Sequence, residues 1–434
     1  MNAHRTICLG LLQPKGYREI AKLVKKNIEQ EGYDAKGCDT NAAIPIGALV
    51  RGKLFWCHVR SLLPTLPAEE GLPSIKQVFR KVVGRTLEML HGLQYKDQGN
   101  LHINITLNHE ETSQEHLIFQ KGNAFVESSG FMPKWEVLGM SRSKVGENLR
   151  GLTDEAAIKL QLFPCKPIAN IATADQVDLL HDSLFIAGRY LKLARGVSQT
   201  PWVVNGRSLA EHSVSELIAG PCEALFKCKS TNFVPAGRED ADVRMLGTGR
   251  PYSMEICNPR ITSFDDWAGE LNALTMRINK SELINTTALQ LIDKKGIDVI
   301  KEGEQTKVKT YSALVWVASP ILDQACLDGK LSGTLLSLPL KVLQLTPLRV
   351  LHRRSPLPRP KVIHQLRAKW LHPHYIVIDL VAEAGTYIKE FVHGDVGRTT
   401  PSLSSILNQP AADLLELDVI HVDLEWPPAL PQSS

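Results

Sequence analysis

The segment at residues 237 to 246 constrains the fold of this chain more than any other. It reads Gly-Arg-Glu-Asp-Ala-Asp-Val-Arg-Met-Leu and follows a strand-like run at residues 224 to 234, which Pro235 and Ala236 interrupt. A second strand is predicted at residues 252 to 256. This order predicts an acidic, arginine-containing loop at the rim of a sheet, where rigid scaffolds often hold reactive groups. By residue type alone, acids interleaved with arginines usually form a solvated turn with weak surface ion pairs.

Three later segments favour the functional interpretation of that loop. They read Lys-Thr-Tyr-Ser-Ala-Leu from residue 309, Thr-Pro-Leu-Arg-Val-Leu-His-Arg-Arg from residue 346, and Ala-Gly-Thr-Tyr-Ile-Lys-Glu-Phe-Val-His-Gly-Asp from residue 384. With the loop, and in this order, they closely resemble the Pus10 family of tRNA pseudouridine synthases. The resemblance runs from about residue 184 to the Asp-Leu-Glu-Trp-Pro-Pro segment that starts at residue 423. It implies an enzyme that isomerises uridine in tRNA without any cofactor.

Length and composition allow this reading but do not demand it. The 434 residues suggest two or three domains, and a net charge of +4 permits RNA as a partner. The sequence has no run of 18 apolar residues and no cleavage signature, so we expect no membrane span and no secretion signal. Its eight cysteines include no Cys-x-x-Cys pair, which indicates reduced thiols and a nuclear or cytoplasmic protein.

The first half reads as an α+β region without a catalytic constellation. Apolar spacing predicts helices at residues 17 to 31 and 74 to 91, and period-two alternation predicts a strand at residues 101 to 107. In the second helix, Ser74 is the predicted N-cap. The apolar residues predicted to share one side of that helix are Ile75, Val78, Phe79, Val82 and Leu90. Residues 108 to 178 are predicted to be loops and short elements.

The resemblance implies that residues 1 to 204 form an accessory RNA-binding domain that contains a THUMP domain, matched here by residues 184 to 202. In the family this domain carries zinc on two Cys-x-x-Cys pairs. Only Cys8 matches one of those ligands. A single thiolate cannot hold a structural zinc ion, so we predict no metal site. Either this lineage lost the site or the sequence is incomplete at its N-terminus.

The second half, residues 205 to 434, is predicted to be the catalytic domain. It shows a helix capped near Ser213, a helix starting at Ser263, strands at residues 310 to 317 and 374 to 381, and a helix capped by Thr386. Strands and helices in this order favour an α+β fold with a mixed, mostly antiparallel sheet. The resemblance to pseudouridine synthases implies the same fold.

Asp240 is the predicted catalytic carboxylate, because it matches the aspartate of the family motif. Isomerisation of uridine needs one ionised carboxylate near the ribose, a pocket for a base removed from its stack, and a group that holds the detached uracil. Whether Asp240 attacks the ribose carbon or assists elimination of a ribose proton stays open. A nearby cation is expected, and the resemblance implies Lys389. An ordinary helix-surface lysine is the alternative for that residue.

Three more residues are predicted to bind the substrate. Tyr311 would stack on the base and could help remove the proton at carbon five, as the resemblance implies; a tyrosine packed in the core is the alternative. Tyr387 would contact the base or ribose. Arg238 would orient phosphate or open the stack, although an ion pair with Glu239 or Asp242 would use the same residue types.

Basic residues in two places are predicted to contact RNA phosphates. Residues 349 to 369 contain seven Lys or Arg and no acid, a one-sided strip that favours an anion partner. Part of this strip is proline-rich and is predicted to be extended. The predicted RNA contacts are Arg189, Lys192, Arg195, Arg349, Arg353, Arg354, Arg359 and Lys361. For the first three, a solvated edge would look identical.

Other functions fit less well. Asp240 and Asp242 are too close in sequence for the two carboxylates of a glycoside hydrolase. A methyltransferase would need a glycine-rich cofactor loop after a first strand, which the sequence lacks. The main alternative is a tRNA-binding protein without catalysis.

The resemblance implies uridine 54 of the tRNA T loop as the target, with uridine 55 as a second possibility. We also predict a monomer.

Overall fold

The computed structural model describes residues 14–65, 74–117, 142–159, 168–332, 338–352 and 354–427. The chain divides into two compact units, Met1–Asp182 and Ser183–Ser434. The division lies before the boundary predicted near residue 204. The physical reason is strand Leu184–Lys192, which pairs with strands of the second unit along its length and so belongs to that unit's sheet.

The first unit is an α+β layer around a four-stranded sheet. Its described α-helices are α1 (Pro14–Glu31), α2 (Ile46–Leu62), α3 (Ile75–His91), α4 (Arg142–Gly151) and α5 (Asp154–Lys159), and its strands are β1 (Gly37–Ala43), β2 (Gln94–Tyr95), β3 (Leu101–Asn108) and β4 (Thr173–His181). The strand order is β2-β1-β3-β4. Strand β1 runs parallel to β2 and β3, whereas β4 runs antiparallel to β3. Strand β4 lies where only loops and short elements were predicted.

Local sequence explains most of this unit. The side chain of Ser74 accepts a hydrogen bond from the backbone N–H of Gln77 in a capping box at the start of α3, as predicted. The buried face of α3 is carried by Phe79, Val83 and Leu87. The prediction that Leu90 shares this face was wrong, because that side chain is 43% exposed. In β3, burial alternates strictly over the predicted strand.

The second unit is built on a larger sheet. Its described α-helices are α6 (Val214–Phe226), α7 (Trp267–Ile278), α8 (Gly296–Thr306), α9 (Gln324–Leu331), α10 (Ile388–His393) and α11 (Leu403–Ile406), and its strands are β5 (Leu184–Lys192), β6 (Val203–Val204), β7 (Arg207–Ser208), β8 (Ser230–Pro235), β9 (Arg244–Cys257), β10 (Ile284–Ile292), β11 (Lys309–Val317), β12 (Leu340–Gln344), β13 (Arg359–His372), β14 (Tyr375–Ala382), β15 (Thr399–Thr400) and β16 (Ala412–Val422).

The sheet order in the described residues is β10-β5-β9-β16-β11-β14-β13-β12-β15, with β8 also paired to β9. All of these pairings are antiparallel except β9 with β16, which is parallel. The predicted α+β class with a mixed, mostly antiparallel sheet is therefore confirmed. Strands β6 and β7 form a separate two-stranded hairpin.

Three details of the second unit differ from prediction. Residues 224 to 226 end helix α6, because the helix capped by Ser213 continues through Phe226. Helix α7 is capped by Asp266, whose side chain accepts from the Gly269 N–H, and not by Ser263. Helix α10 begins after Tyr387, while the Thr386 hydroxyl donates to the Glu383 carbonyl. Among the described residues, no helix has the length and apolar character needed to cross a membrane.

Candidate active site

The predicted loop connects β8 to β9 at the edge of their antiparallel pair. The Ala236 N–H donates to the Pro251 carbonyl and closes the base of the loop. Gly237 has a φ of +87°, and a Cβ there would lie 3.0 Å from Arg250 Nη1 and 3.2 Å from Lys309 Nζ. Glycine therefore meets both the backbone conformation and the close approach of two cationic side chains.

The inward face of the loop is held by a buried polar network. Arg250 Nε donates to Glu239 Oε2 over 2.7 Å, and both side chains are 1% exposed. The Tyr190 hydroxyl donates to Glu239 at 2.8 and 2.9 Å from its two oxygens. Gln199 Nε2 donates to the Tyr190 hydroxyl and to the Gly237 carbonyl. Burial raises the pKa of Tyr190 well above its ordinary value, and the charge of Glu239 adds to the shift, so the phenol stays protonated as a donor.

Asp240 points its carboxylate to the outside of the loop. Its side chain is 40% exposed, and Oδ2 lies 3.1 Å from Arg349 Nη1 and 3.4 Å from Lys389 Nζ. Arg349 comes from the 3-10 turn Leu348–Val350, and Lys389 from the first turn of α10. Two cations thus face one accessible carboxylate. Lys389 lies where it was predicted, while Arg349 is a second cation that was predicted only as a phosphate contact.

Lys389 also contacts the second acid of the loop. Its Nζ lies 2.6 Å from Asp242 Oδ2, closer than to Asp240. Partial burial pushes the pKa of Asp242 upward, but the hydrogen bond and charge of Lys389 outweigh that effect and lower the pKa overall. Arg349 is shared in the same way, because its Nε lies 2.7 Å from Oε1 of the buried Glu390.

Tyr311 and Tyr387 have different surroundings. Tyr311, on β11, is 8% exposed, and burial raises its pKa to about 12, although the charge of Arg250 opposes the shift. Tyr311 belongs to the core cluster of the unit, and the charges of Arg250 and Glu239 both act on its phenol. The Tyr387 hydroxyl accepts from Arg354 Nη1 at 2.8 Å.

Arg238 is exposed on the loop. Among the residues that the structure describes it forms no ion pair with either predicted acid, because Glu239 pairs with Arg250 and Asp242 with Lys389. The guanidinium of Arg238 is therefore available to a ligand.

The basic residues of β5 and its extension have structural partners. Arg189 donates to the carbonyls of residues 248, 249, 422, 424 and 426. Lys192 is fully buried, and Arg195 donates to two carbonyls and to the carboxylates of Glu416 and Asp418. These three side chains were predicted to bind phosphate. In the structure they have structural roles instead, because their N–H groups donate to acceptors within the protein.

The basic strip is partly anchored to the protein. Arg359 Nη1 donates to Thr346 Oγ1 at 2.6 Å, and Lys361 Nζ donates to the Ala384 carbonyl at 2.6 Å. Arg354 is exposed apart from its bond to Tyr387. Arg353 and Cys8 lie outside the described residues. No cluster of three or more metal-ligating side chains occurs within the described ranges.

Sequence reasoning missed the residues that hold the site from inside. Glu239 was considered only as an alternative partner for Arg238, and Arg250, Gln199 and Glu390 were not singled out. The available signal was the charge of Arg250 in the Leu-Gly-Thr-Gly-Arg-Pro segment that begins at residue 246. An arginine within a predicted sheet needs a partner, and Glu239 is a nearby acid.

Family profiles and curated relatives both match this chain. A family profile described as "Pus10, C-terminal" matches residues 185–423, and one described as "Eukaryotic Pus10, N-terminal" matches residues 5–176. The tRNA pseudouridine synthase Pus10 of Homo sapiens is 35% identical over 432 residues, which cover 98% of this chain and 79% of that protein. The chain belongs to the Pus10 family. The resemblance noted in the sequence is confirmed, and the protein is an enzyme of the pseudouridine synthase type.

Further Pus10 relatives extend the similarity. The putative tRNA pseudouridine synthase Pus10 of Drosophila melanogaster is 31% identical over 438 residues, which cover 97% of this chain and 83% of that protein. The Pus10 protein of Thermofilum pendens is 36% identical over 256 residues, covering 58% of this chain and 55% of that protein. Among solved structures, a Cbf5-Nop10-Gar1 complex aligns with 54% of this chain and 48% of that chain, at 12% identity and a TM-score of 0.29, a similarity too low to support an argument.

Proposed function

We propose that this protein converts uridine to pseudouridine in the T loop of tRNA, at uridine 54 with uridine 55 as a second candidate target, with Asp240 as the catalytic carboxylate. The observation that carries the proposal is the accessible Asp240 carboxylate between Arg349 and Lys389, on a loop whose inner face is fixed by buried hydrogen bonds. The tRNA substrate is supported by the names of the relatives that match nearly the whole chain.

The reaction is an isomerisation, so every atom of the uridine is retained. The bond from N1 of the base to the ribose breaks, the base turns, a bond forms from carbon five, and the proton of carbon five is transferred to N1. Asp240 would act at the ribose, with Lys389 and Arg349 in contact with its carboxylate. Tyr311 would hold the detached uracil, whereas its raised pKa opposes the predicted assistance in removing the carbon-five proton. With the pKa of its phenol raised to about 12, Tyr311 is protonated at neutral pH and serves as a donor or a stacking surface.

Entry of the base requires its removal from the stack, which costs a few kcal/mol. Arg238 is exposed beside Asp240 and would stabilise the opened strand through phosphate. Tyr387 and Arg354, joined by a hydrogen bond, offer a ring and a cation to base or ribose. The remaining basic residues of the strip at 349 to 369 would position the tRNA backbone without reading its sequence. Within that strip, Arg349 contacts Asp240, and Lys361 donates to the Ala384 carbonyl.

The test compares the wild-type protein, Asp240→Asn and Asp265→Asn on unmodified tRNA transcript, with pseudouridine mapped at each nucleotide. Asp265 is an exposed carboxylate of the same unit and serves as the matched control. We expect wild type and Asp265→Asn to modify the T loop, and Asp240→Asn to bind tRNA without modifying it. Modification by Asp240→Asn would exclude Asp240 as the catalytic group. Binding without modification by all three proteins would favour the alternative, a non-catalytic tRNA-binding protein.

We also propose a monomer that acts in the nucleus and the cytoplasm. Sedimentation of the purified protein with and without tRNA tests the first statement, and imaging of the tagged chain tests the second.

A further inference from the structure

The backbone of the catalytic loop is bound by a buried ammonium group. Lys192, the last residue of β5, is 0% exposed. Its Nζ donates to the carbonyls of Val197 at 2.8 Å, Asp240 at 2.9 Å and Ala241 at 3.2 Å. Lysine has three N–H donors, so these three carbonyls use its whole capacity. The group therefore fixes the position of the catalytic residue's own peptide unit.

Neighbouring donors extend this contact along the loop. The Gly196 N–H donates to the Ala241 carbonyl at 2.9 Å, and Arg195 Nη1 donates to the Asp242 carbonyl at 2.8 Å. Three successive carbonyls, those of residues 240 to 242, thus accept bonds from residues 192 to 196. The Val243 N–H also donates to the Asp240 carbonyl at 3.1 Å, which closes a turn on the acid.

The backbone carbonyl and the side-chain carboxylate of Asp240 contact different groups. Its carbonyl is bound inward by Lys192, while its carboxylate is 40% exposed and contacts Arg349 and Lys389. Burying an ammonium group is costly unless every proton is bonded, and burial lowers the pKa of Lys192 although Glu239 and Asp242 oppose the shift. A charge kept in such a place is better explained by what it positions than by stability alone, because an apolar side chain of similar volume would avoid the desolvation cost.

We propose that Lys192 is a positioning residue for the reaction, which orients the Asp240 carboxylate by fixing the backbone of residues 240 and 241. The inference rests on the proposed catalytic role of Asp240. It also assigns to Lys192 a role different from the phosphate contact that sequence predicted. Because misplacement of a reacting group by about 1 Å can cost about 100-fold in rate, loss of this contact should reduce the chemical step strongly.

The experiment compares Lys192→Met with Arg189→Met in the full chain. Arg189 is the matched control, because it is a cation of the same strand that also donates to backbone carbonyls, but to residues 248, 249, 422, 424 and 426. We measure single-turnover pseudouridine formation and tRNA affinity below the unfolding transition of both variants. Lys192→Met should lower the rate about 10- to 100-fold with tRNA affinity within about threefold of wild type. Arg189→Met should keep a rate near that of wild type.

A second variant keeps the proposal testable if Lys192→Met does not fold. Arg195 is partly exposed, so Arg195→Met should fold, and it removes the bonds to the Asp242 and Leu417 carbonyls together with the ion pairs to Glu416 and Asp418. We expect a smaller loss of rate, about threefold to tenfold. Amide hydrogen exchange gives a readout that does not depend on activity. Exchange at residues 237 to 243 should accelerate in Lys192→Met and stay unchanged in Arg189→Met.

The outcomes are distinct from those of the test of function. If wild type is active and Asp240→Asn is not, the proposed function stands. Unchanged exchange at residues 237 to 243 together with a full rate in Lys192→Met would then refute the positioning role. Equal losses of rate in Lys192→Met and Arg189→Met would also refute it, because the effect would follow general stability. If wild type is inactive, the exchange comparison still tests whether Lys192 holds the loop.

Discussion

Arg250 and Glu239 form an ion pair in which Nε and Oε2 are 2.7 Å apart and both side chains are 1% exposed. Glu239 directly precedes Asp240 in the chain, so the pair fixes the residue next to the proposed catalytic acid. Arg250 also donates to the Ala236 carbonyl at 2.8 Å, so one guanidinium contacts both Ala236 and Glu239 in the first part of the loop. The loop that carries Asp240 is therefore buried on the side of Glu239 and accessible at the Asp240 carboxylate.

Breaking this pair should destabilise the protein strongly. Glu239→Leu leaves Arg250 as an uncompensated buried charge, and we expect a loss of about 3–5 kcal/mol in the free energy of unfolding. Urea unfolding followed by tryptophan fluorescence measures the change. In the double variant Glu239→Leu with Arg250→Met the loss should be smaller than in Glu239→Leu alone. A double variant as unstable as the sum of both single variants would contradict this account.

Removing Arg349 should slow catalysis by withdrawing one of the two cations from Asp240. A charge-assisted hydrogen bond contributes about 1.5–3 kcal/mol, so Arg349→Met should lower the single-turnover rate about 10- to 100-fold. Arg367→Met is the control, since Arg367 is an exposed member of the same basic strip. A similar loss of rate in both variants would assign Arg349 to general attraction of RNA.

A double variant separates the effect of Arg349 on rate from its effect on stability. Arg349→Met alone leaves Glu390, which is 2% exposed, as an unpaired carboxylate, so that variant is also expected to be less stable. Adding Glu390→Gln removes that charge. We expect the melting temperature to recover in the double variant while the rate stays low. Recovery of both would show that Arg349 acts only through folding.

The strand of Tyr311 and the helix of Lys389 were predictable because their signals are local. Burial in β11 alternates as its sequence does, and Lys389 follows a Gly-Thr pair that lies just before α10. The roles of Lys192 and Arg189 were not predictable, because both donate to backbone carbonyls that are 48 or more residues away in the chain. A backbone carbonyl has no sequence signature, so the flanking sequence does not distinguish a lysine that binds buried carbonyls from one that binds phosphate. The family motif identified Asp240, but only tertiary contacts show what holds it.

Outward basic residues of β13 should contribute to tRNA affinity and not to chemistry. Arg367 and Lys369 are exposed on that strand. The double variant Arg367→Gln with Lys369→Gln should weaken tRNA binding. It should also reduce the slope of log affinity against log salt concentration by about 1–2, because fewer counterions are released when fewer phosphate contacts form on binding. Lys294→Gln with Lys295→Gln is the control, as both residues are exposed before α8. Equal effects of the two pairs would show that no particular face of this unit binds the RNA backbone.

Stability at acid pH should depend on Asp418, which joins β16 to the start of β9. Its carboxylate accepts from Arg244 at 2.6 and 2.8 Å and from Arg195 at 2.9 Å. Burial pushes its pKa upward, but the hydrogen bonds and charges of both arginines outweigh burial and lower the pKa below its usual 3.8. The unfolded chain therefore takes up this proton at a higher pH than the folded protein does. The stabilisation is complete above the unfolded value and is lost as pH falls through the folded one.

Asp418→Asn should consequently reduce the free energy of unfolding at pH 7 by about 1–3 kcal/mol. Its difference from wild type should remain constant between pH 7 and about pH 5 and then shrink as pH falls below 3.8, because wild type loses the same interaction there. Urea unfolding at pH 7, 5 and 3 measures this, with Asp265→Asn as the exposed control that should follow wild type throughout. A difference that stays the same from pH 7 to pH 3 would mean that the two arginines do not lower the pKa of Asp418, and that its contribution to stability comes from packing.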